Sequence, residues 1–177
     1  MSTSERVVFS LAVLLLGSSL ALAEDRKLGT PITEADIKAL NITILPDGTN
    51  LPAGKGTAAE GAKIFAEKCM ACHGEGGKGG PFATLVSDAP LKGNGIEAPK
   101  TIKNFWANAT TVYDYIRRAM PWPGPRTLSD EEVYSLVAYI LASNKIIDAD
   151  AEMNAQTLPK VKMPNRDNFI IRFPDKI

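Results

Sequence analysis

Cys69-Met70-Ala71-Cys72-His73 decides how this sequence is read. Both cysteines and the one histidine of the 177-residue chain fall inside it. In a C-x-x-C-H run, two thiols add to the vinyl groups of a porphyrin and the adjacent imidazole ligates its iron. Other readings of C-x-x-C fail on counting. Structural zinc takes four N or S ligands, and this pentapeptide offers three. A thioredoxin-like redox pair would sit beside a βαβ pattern, and none follows. A simple disulfide has no use for the histidine. The motif therefore implies one covalently bound haem c, held by Cys69 and Cys72, with His73 on the iron. No cysteine remains for a second haem.

Outward from the motif, the elements read as helices. Thr57 and Glu60 fit a capping box at the start of a helix. Ala58, Ala62, Phe65 and Cys69 recur on one of its faces, so the helix delivers the cysteines to a buried surface. After His73 comes Gly74-Glu75-Gly76-Gly77-Lys78-Gly79-Gly80. It contains G-x-G-x-x-G, but a dinucleotide fingerprint needs a strand before it and a helix after it. These glycines instead suit a tight turn past a porphyrin. Residues 81–108 look like loop, with breaks at Pro90 and Pro99 and a turn at Gly93-Asn94-Gly95. A second helix is expected from about Thr111 to Met120, capped by Thr111 and Asp114, with Val112, Tyr115, Ile116 and Ala119 apolar. Pro121, Pro123 and Pro125 then hold Trp122 in a stiff loop. A third helix starts at the Ser129/Glu132 capping box and buries Val133, Leu136, Val137, Ile140 and Leu141.

The flanks are looser. Arg6, the apolar run Val7–Leu16 and the Ala21-Leu22-Ala23 site describe a secretory signal peptide over residues 1–23. The apolar run is shorter than the ~20 residues of a membrane span. Cleavage would leave no membrane segment, and export fits haem attachment in a bacterial periplasm. Residues 24–56 read as an N-terminal extension, with one short extended segment at Leu40–Leu45. Residues 57–144 form the helical domain. Residues 145–177 form a C-terminal extension, whose Leu158, Val161, Phe169, Ile170, Ile171 and Phe173 argue for packing on that domain. The chain carries 20 Lys plus Arg against 20 Asp plus Glu. Nucleic-acid binders usually carry a basic excess, so a nucleic-acid partner is not expected. The fold class is all-α.

The second iron ligand separates an electron carrier from a haem enzyme. With no second histidine, methionine or an open position remains. Met120 ends the second helix, where its side chain can swing over the opposite haem face; Met163, in the tail, is the alternative. A His/Met pair fills both axial positions and raises the potential, leaving outer-sphere transfer of one electron. An open site would allow peroxidase-like or gas-binding chemistry. Gly80 is the candidate carbonyl for orienting the other nitrogen of His73. The expected docking face lies near Trp122, the adjoining prolines and the Gly74–Gly80 loop, with Arg117 and Arg118 as candidate steering charges.

With these residues placed, the chain resembles a class I cytochrome c. That family carries Gly and then an aromatic on the first helix, here Gly61 and Phe65, with Tyr139 at the crossing of the last helix. The core resemblance covers residues 57–144. The flanks "NITILPDGTNLPAGKGT", "TIKNFWANATTVYDYIRRAMPWPGP" and "TLPKVKMPNRDNF" are similar to the haem domain of sulfite and sulfane dehydrogenase cytochrome subunits, including that of the Sox thiosulfate-oxidising system. The resemblance implies Met120 as axial ligand and redox protein partners. Those are a molybdenum dehydrogenase subunit as donor and an oxidase or cytochrome downstream. It departs from the Sox pattern in one respect: that subunit carries two haem domains, and this chain has one attachment motif. A free shuttle from another dehydrogenase to a terminal oxidase has the same fold.

Overall fold

A computed structural model of the chain describes residues 29–87 and 100–169. The signal segment 1–23, the Pro90, Gly93–Gly95 and Pro99 breaks, and tail residues Ile170, Ile171 and Phe173 lie outside them. The chain divides into two compact units, residues 1–41 and 42–177.

In the first unit, α1 spans Glu34–Leu40. Thr33 caps it, accepting from the Asp36 N–H, while the Asp36 carboxylate accepts from the Thr33 N–H at 2.9 Å. The helix takes in only the first residue, Leu40, of the segment expected to be extended over Leu40–Leu45; a T-x-x-D box starts it.

The second unit holds the helical domain. The strand β1, Lys55–Thr57, runs into α2, Ala58–Lys68, through the Thr57/Glu60 capping box expected from the sequence. The short α3, Met70–His73, follows, then a 3-10 turn at Glu75–Gly77. Beyond lie α4, Ile102–Phe105, α5, Ala109–Ala119, and α6, Asp130–Ser143. The Ser129/Glu132 box starts α6 as anticipated. The start of α5 is a correction. It begins two residues before Thr111, after an extended Asn108, because Ala109 and Thr110 are both buried. Asp114 therefore caps nothing. Its carboxylate accepts from Arg118 Nε at 2.9 Å and from the Ile44 N–H at 3.4 Å, binding the N-terminal extension to α5.

The core forms around α6, which buries Val133–Ala138, Ile140 and Leu141. Ala62, expected on the buried face of α2, is only partly covered; Ala58, Gly61 and Phe65 take that face. Gly61 permits the crossing of α2 and α6: a β-carbon there would lie 1.9 Å from the Ser135 carbonyl oxygen. Phe65 and Tyr139 meet at this crossing with ring centroids 5.1 Å apart. On the other side of α6, Tyr113 and Tyr134 pack at 4.5 Å. Burial pushes the Tyr134 phenol up to about 12 and the Tyr113 phenol higher still. Tyr134 donates to the Pro52 carbonyl at 2.9 Å, which satisfies a hydroxyl that burial would otherwise penalise.

Both extensions of this unit pack on the helices. The strand β2, Glu152–Asn154, pairs antiparallel with β1, setting Gly56 opposite Met153. Leu158, Val161 and Met163 are buried, so the tail does pack as its apolar residues implied, whereas Phe169 is exposed.

Candidate haem site

The attachment motif is a single helical turn laid onto the end of α2. The Cys69 N–H still donates to the Phe65 carbonyl at 2.9 Å. The Cys72 and His73 N–H groups both donate to the Cys69 carbonyl, at 3.1 and 3.0 Å. Residues three apart on such a turn lie on one face, so the two thiols stand beside each other. Both are partly covered and unpaired with any disulfide partner. Burial pushes the Cys69 thiol up to about 11, against a smaller pull from Lys68. Among the described residues no group of three or more His, Cys, Asp or Glu side chains is arranged to hold a metal ion.

The glycine run turns the chain back onto the motif. Gly74, Gly76, Gly77 and Gly79 all have positive φ. A β-carbon on Gly74 would meet the Lys78 carbonyl at 2.0 Å, and one on Gly80 would meet the Cys72 carbonyl at 2.3 Å. This is a tight return, with a helix before it and none of the strand-turn-helix context of a nucleotide site.

The return presents a carbonyl to His73, but not the one anticipated. His73 Nδ1 lies 3.0 Å from the Ala83 carbonyl oxygen. Gly80 is packed against the motif backbone, and the chain must pass Pro81 and Phe82 before a carbonyl reaches the ring. The Phe82 N–H, donating to the Cys72 carbonyl at 3.2 Å, sets that approach. Nothing in the residue types marks Ala83, because a backbone acceptor leaves no signature in sequence. With Nδ1–H donating to a carbonyl, Nε2 keeps its lone pair for a metal. Two neighbouring thiols and an imidazole so oriented are the donor set that haem c takes, and the residues fit that group.

The methionines separate by burial. Met70 is exposed within the motif, while Met153 and Met163 are enclosed in the core, Met163 at 1% exposure. Met120 is partly covered, on a separate element from the motif, and its N–H donates to the Ile116 carbonyl at 3.0 Å as α5 ends. After it Trp122 stands 74% exposed. Arg117 and Arg118, considered above as steering charges, are committed to Asp130 at 3.0 Å and Asp114 at 2.9 Å.

Comparison with known proteins follows the same lines. Residues 56–140 match the family described as cytochrome c oxidase, cbb3-type, subunit III. The chain is 30% identical over 109 residues to cytochrome c6 of a Synechococcus strain, covering 59% of this chain and 87% of that protein. A stretch of 32 residues is 62% identical to the cbb3-type cytochrome c oxidase subunit FixP of Bradyrhizobium diazoefficiens, but it spans only 11% of that subunit. Among solved structures, the sulfane dehydrogenase SoxCD of Paracoccus pantotrophus matches with a TM-score of 0.72 and 31% identity. That match covers 85% of this chain and 72% of the other. No helix among the described residues is long and apolar enough to cross a membrane.

Proposed function

The chain belongs to the class I c-type cytochromes, an electron-transfer family, and from that premise we propose that it is a periplasmic monohaem carrier accepting electrons from a molybdenum sulfur dehydrogenase. Haem c, when bound, supplies a one-electron iron couple. Cys69 and Cys72 would hold it through thioethers. His73 would give Nε2 to the iron, while its Nδ1–H on the Ala83 carbonyl fixes the ring plane and raises its basicity. Met120 would supply the second side-chain ligand, a thioether. Its partly covered side chain at the end of α5 supports this choice over Met163, which the core encloses. With two side chains of the protein holding the iron, the chemistry left would be electron exchange with a partner that approaches from outside. Trp122, after Met120, and Phe82, after the glycine run, are both exposed large apolar side chains available to such a partner. Small, transient contacts suit such a partner.

One observation carries the sulfur assignment. The likeness to SoxCD covers 85% of the chain, well beyond the 56–140 segment shared with haem domains generally. A match of that extent needs residues outside 56–140, so the flanks of the helical domain share in the resemblance. Among the described residues no cluster of His, Cys, Asp or Glu is arranged as a second metal centre to activate sulfite or thiosulfate. The purified holoprotein is expected to oxidise neither, and to be reduced rapidly once a molybdenum dehydrogenase and its sulfur substrate are added. Turnover by the single chain with an artificial acceptor would overturn the carrier reading. Rapid reduction by a dehydrogenase of another class, and none by a sulfur one, would retain the carrier and discard the sulfur donor.

The short, strong match to FixP supports a second reading, delivery of the electrons to a terminal oxidase. Oxidation of the reduced protein by oxidase-containing membranes tests it.

A further inference from the structure

Asn144 ends α6 and is 2% exposed. Its amide nitrogen donates to the Ile140 carbonyl at 2.9 Å and to the Leu85 carbonyl at 3.1 Å. Its amide oxygen accepts from the Ser87 N–H at 3.3 Å. Both ends of the amide are thus used. Exchanging nitrogen and oxygen would set an oxygen against two carbonyls, so the network fixes the orientation.

Leu85 and Ser87 belong to the loop that presents the Ala83 carbonyl to His73. The other backbone bonds of this loop run to the glycine turn and the motif. Leu85 and Val86 donate to the Gly77 carbonyl at 3.0 and 3.2 Å, and Phe82 donates to Cys72. The Cys72 carbonyl moves with His73 itself, and the Gly77 carbonyl belongs to the return that follows directly from the motif. Asn144 instead ties the loop to α6, the most buried helix of the domain.

We infer that Asn144 is a positioning residue for the axial imidazole, acting through Leu85 and Ala83 to keep the Nδ1 hydrogen bond of His73 in place. The inference rests on the reading of His73 as an iron ligand. A firmly accepted Nδ1–H makes the imidazole a stronger donor and favours ferric iron. Loosening the loop therefore raises the reduction potential.

The test uses haem-loaded full-length protein carrying Asn144→Ala or Asn144→Asp. The aspartate keeps the acceptor for Ser87 but loses both donations. Leu141→Ala, fully buried one turn earlier on α6, controls for general loosening. In both Asn144 variants the His73 Nδ1 proton, followed by NMR, is expected to exchange on the order of tenfold faster, and the potential to rise. Leu141→Ala should lower the urea midpoint and leave both readings unchanged. Wild-type exchange and potential in the Asn144 variants, or equal shifts in Leu141→Ala, would overturn the inference. Should Asn144→Ala not fold, Asn144→Asp carries the same comparison. A wrong assignment of His73 would show separately, as wild-type ferric protein without paramagnetically shifted imidazole resonances from that residue.

Discussion

The Ser135 carbonyl oxygen stands 1.9 Å from where a β-carbon on Gly61 would be. The obstacle is backbone in the middle of a buried helix, so it cannot swing aside as a side chain would. Gly61→Ala gains about 1 kcal/mol of helix propensity, yet it must part α2 from α6 and disturb the Phe65–Tyr139 contact. A net loss of roughly 3 kcal/mol is expected from such overpacking. Urea unfolding of the ferric holoprotein measures it. Gly76→Ala meets no atom within 4 Å but keeps φ at +61°, and should cost only about 1–2 kcal/mol.

Met120→Ala should remove the weak sulfur-to-iron absorption band at the red end of the ferric spectrum and lower the potential, with little effect on core packing. Met163→Ala should keep the band and instead cost about 2–5 kcal/mol, because it empties a fully buried site. The reverse pattern would move the axial ligand to the tail.

Lys68 and Glu132 link the ends of α2 and α6 near the attachment turn, and their hydrogen bond holds the Glu132 carboxyl below its ordinary 4.5. A carboxylate depressed by folding stabilises the protein fully above its unfolded value. That contribution is lost as pH falls through the lower folded value. Both side chains are partly solvated, so Glu132→Gln should cost only about 0.5 kcal/mol near pH 7. The glutamine can still serve the Ser129 box. The difference from wild type should persist at pH values above 4.5 and shrink toward zero as pH falls below that through the lowered folded value. A gap that is constant with pH would point to packing and not to charge.

Cys69→Ser and Cys72→Ser should each prevent a stable holoprotein. The turn they share is held by backbone bonds to Cys69 and by the glycine return, and a domain this small is expected to lean on its covalent cofactor for the rest of its stability. Apoprotein as resistant to urea as the holoprotein would contradict this.

Much of this arrangement could be read from residue types. Thr57/Glu60 and Ser129/Glu132 are side-chain caps with a fixed spacing, and both helices start where those pairs place them. Gly61 and Phe65 likewise announced a helix crossing. What escaped depends on backbone atoms or on distant partners. The Ala83 carbonyl could belong to any residue type, and the Asn144 amide bonds residues more than fifty positions away. The start of α5 was misplaced because Thr111 and Asp114 have the spacing of a cap, while burial of Ala109 and Thr110 extends the helix past them. The helix at Glu34 was hidden by its own brevity, since about two turns give too few residues to show a period.

The pairing of Gly56 with Met153 has a consequence for evolution by fusion. The two strands set the flanks of the helical segment side by side, yet neither is a splice point, because Ile44 before β1 and Leu158, Val161 and Met163 after β2 belong to the same core. A copy inserted into a host protein, or strung in tandem, therefore has to carry both flanks with it.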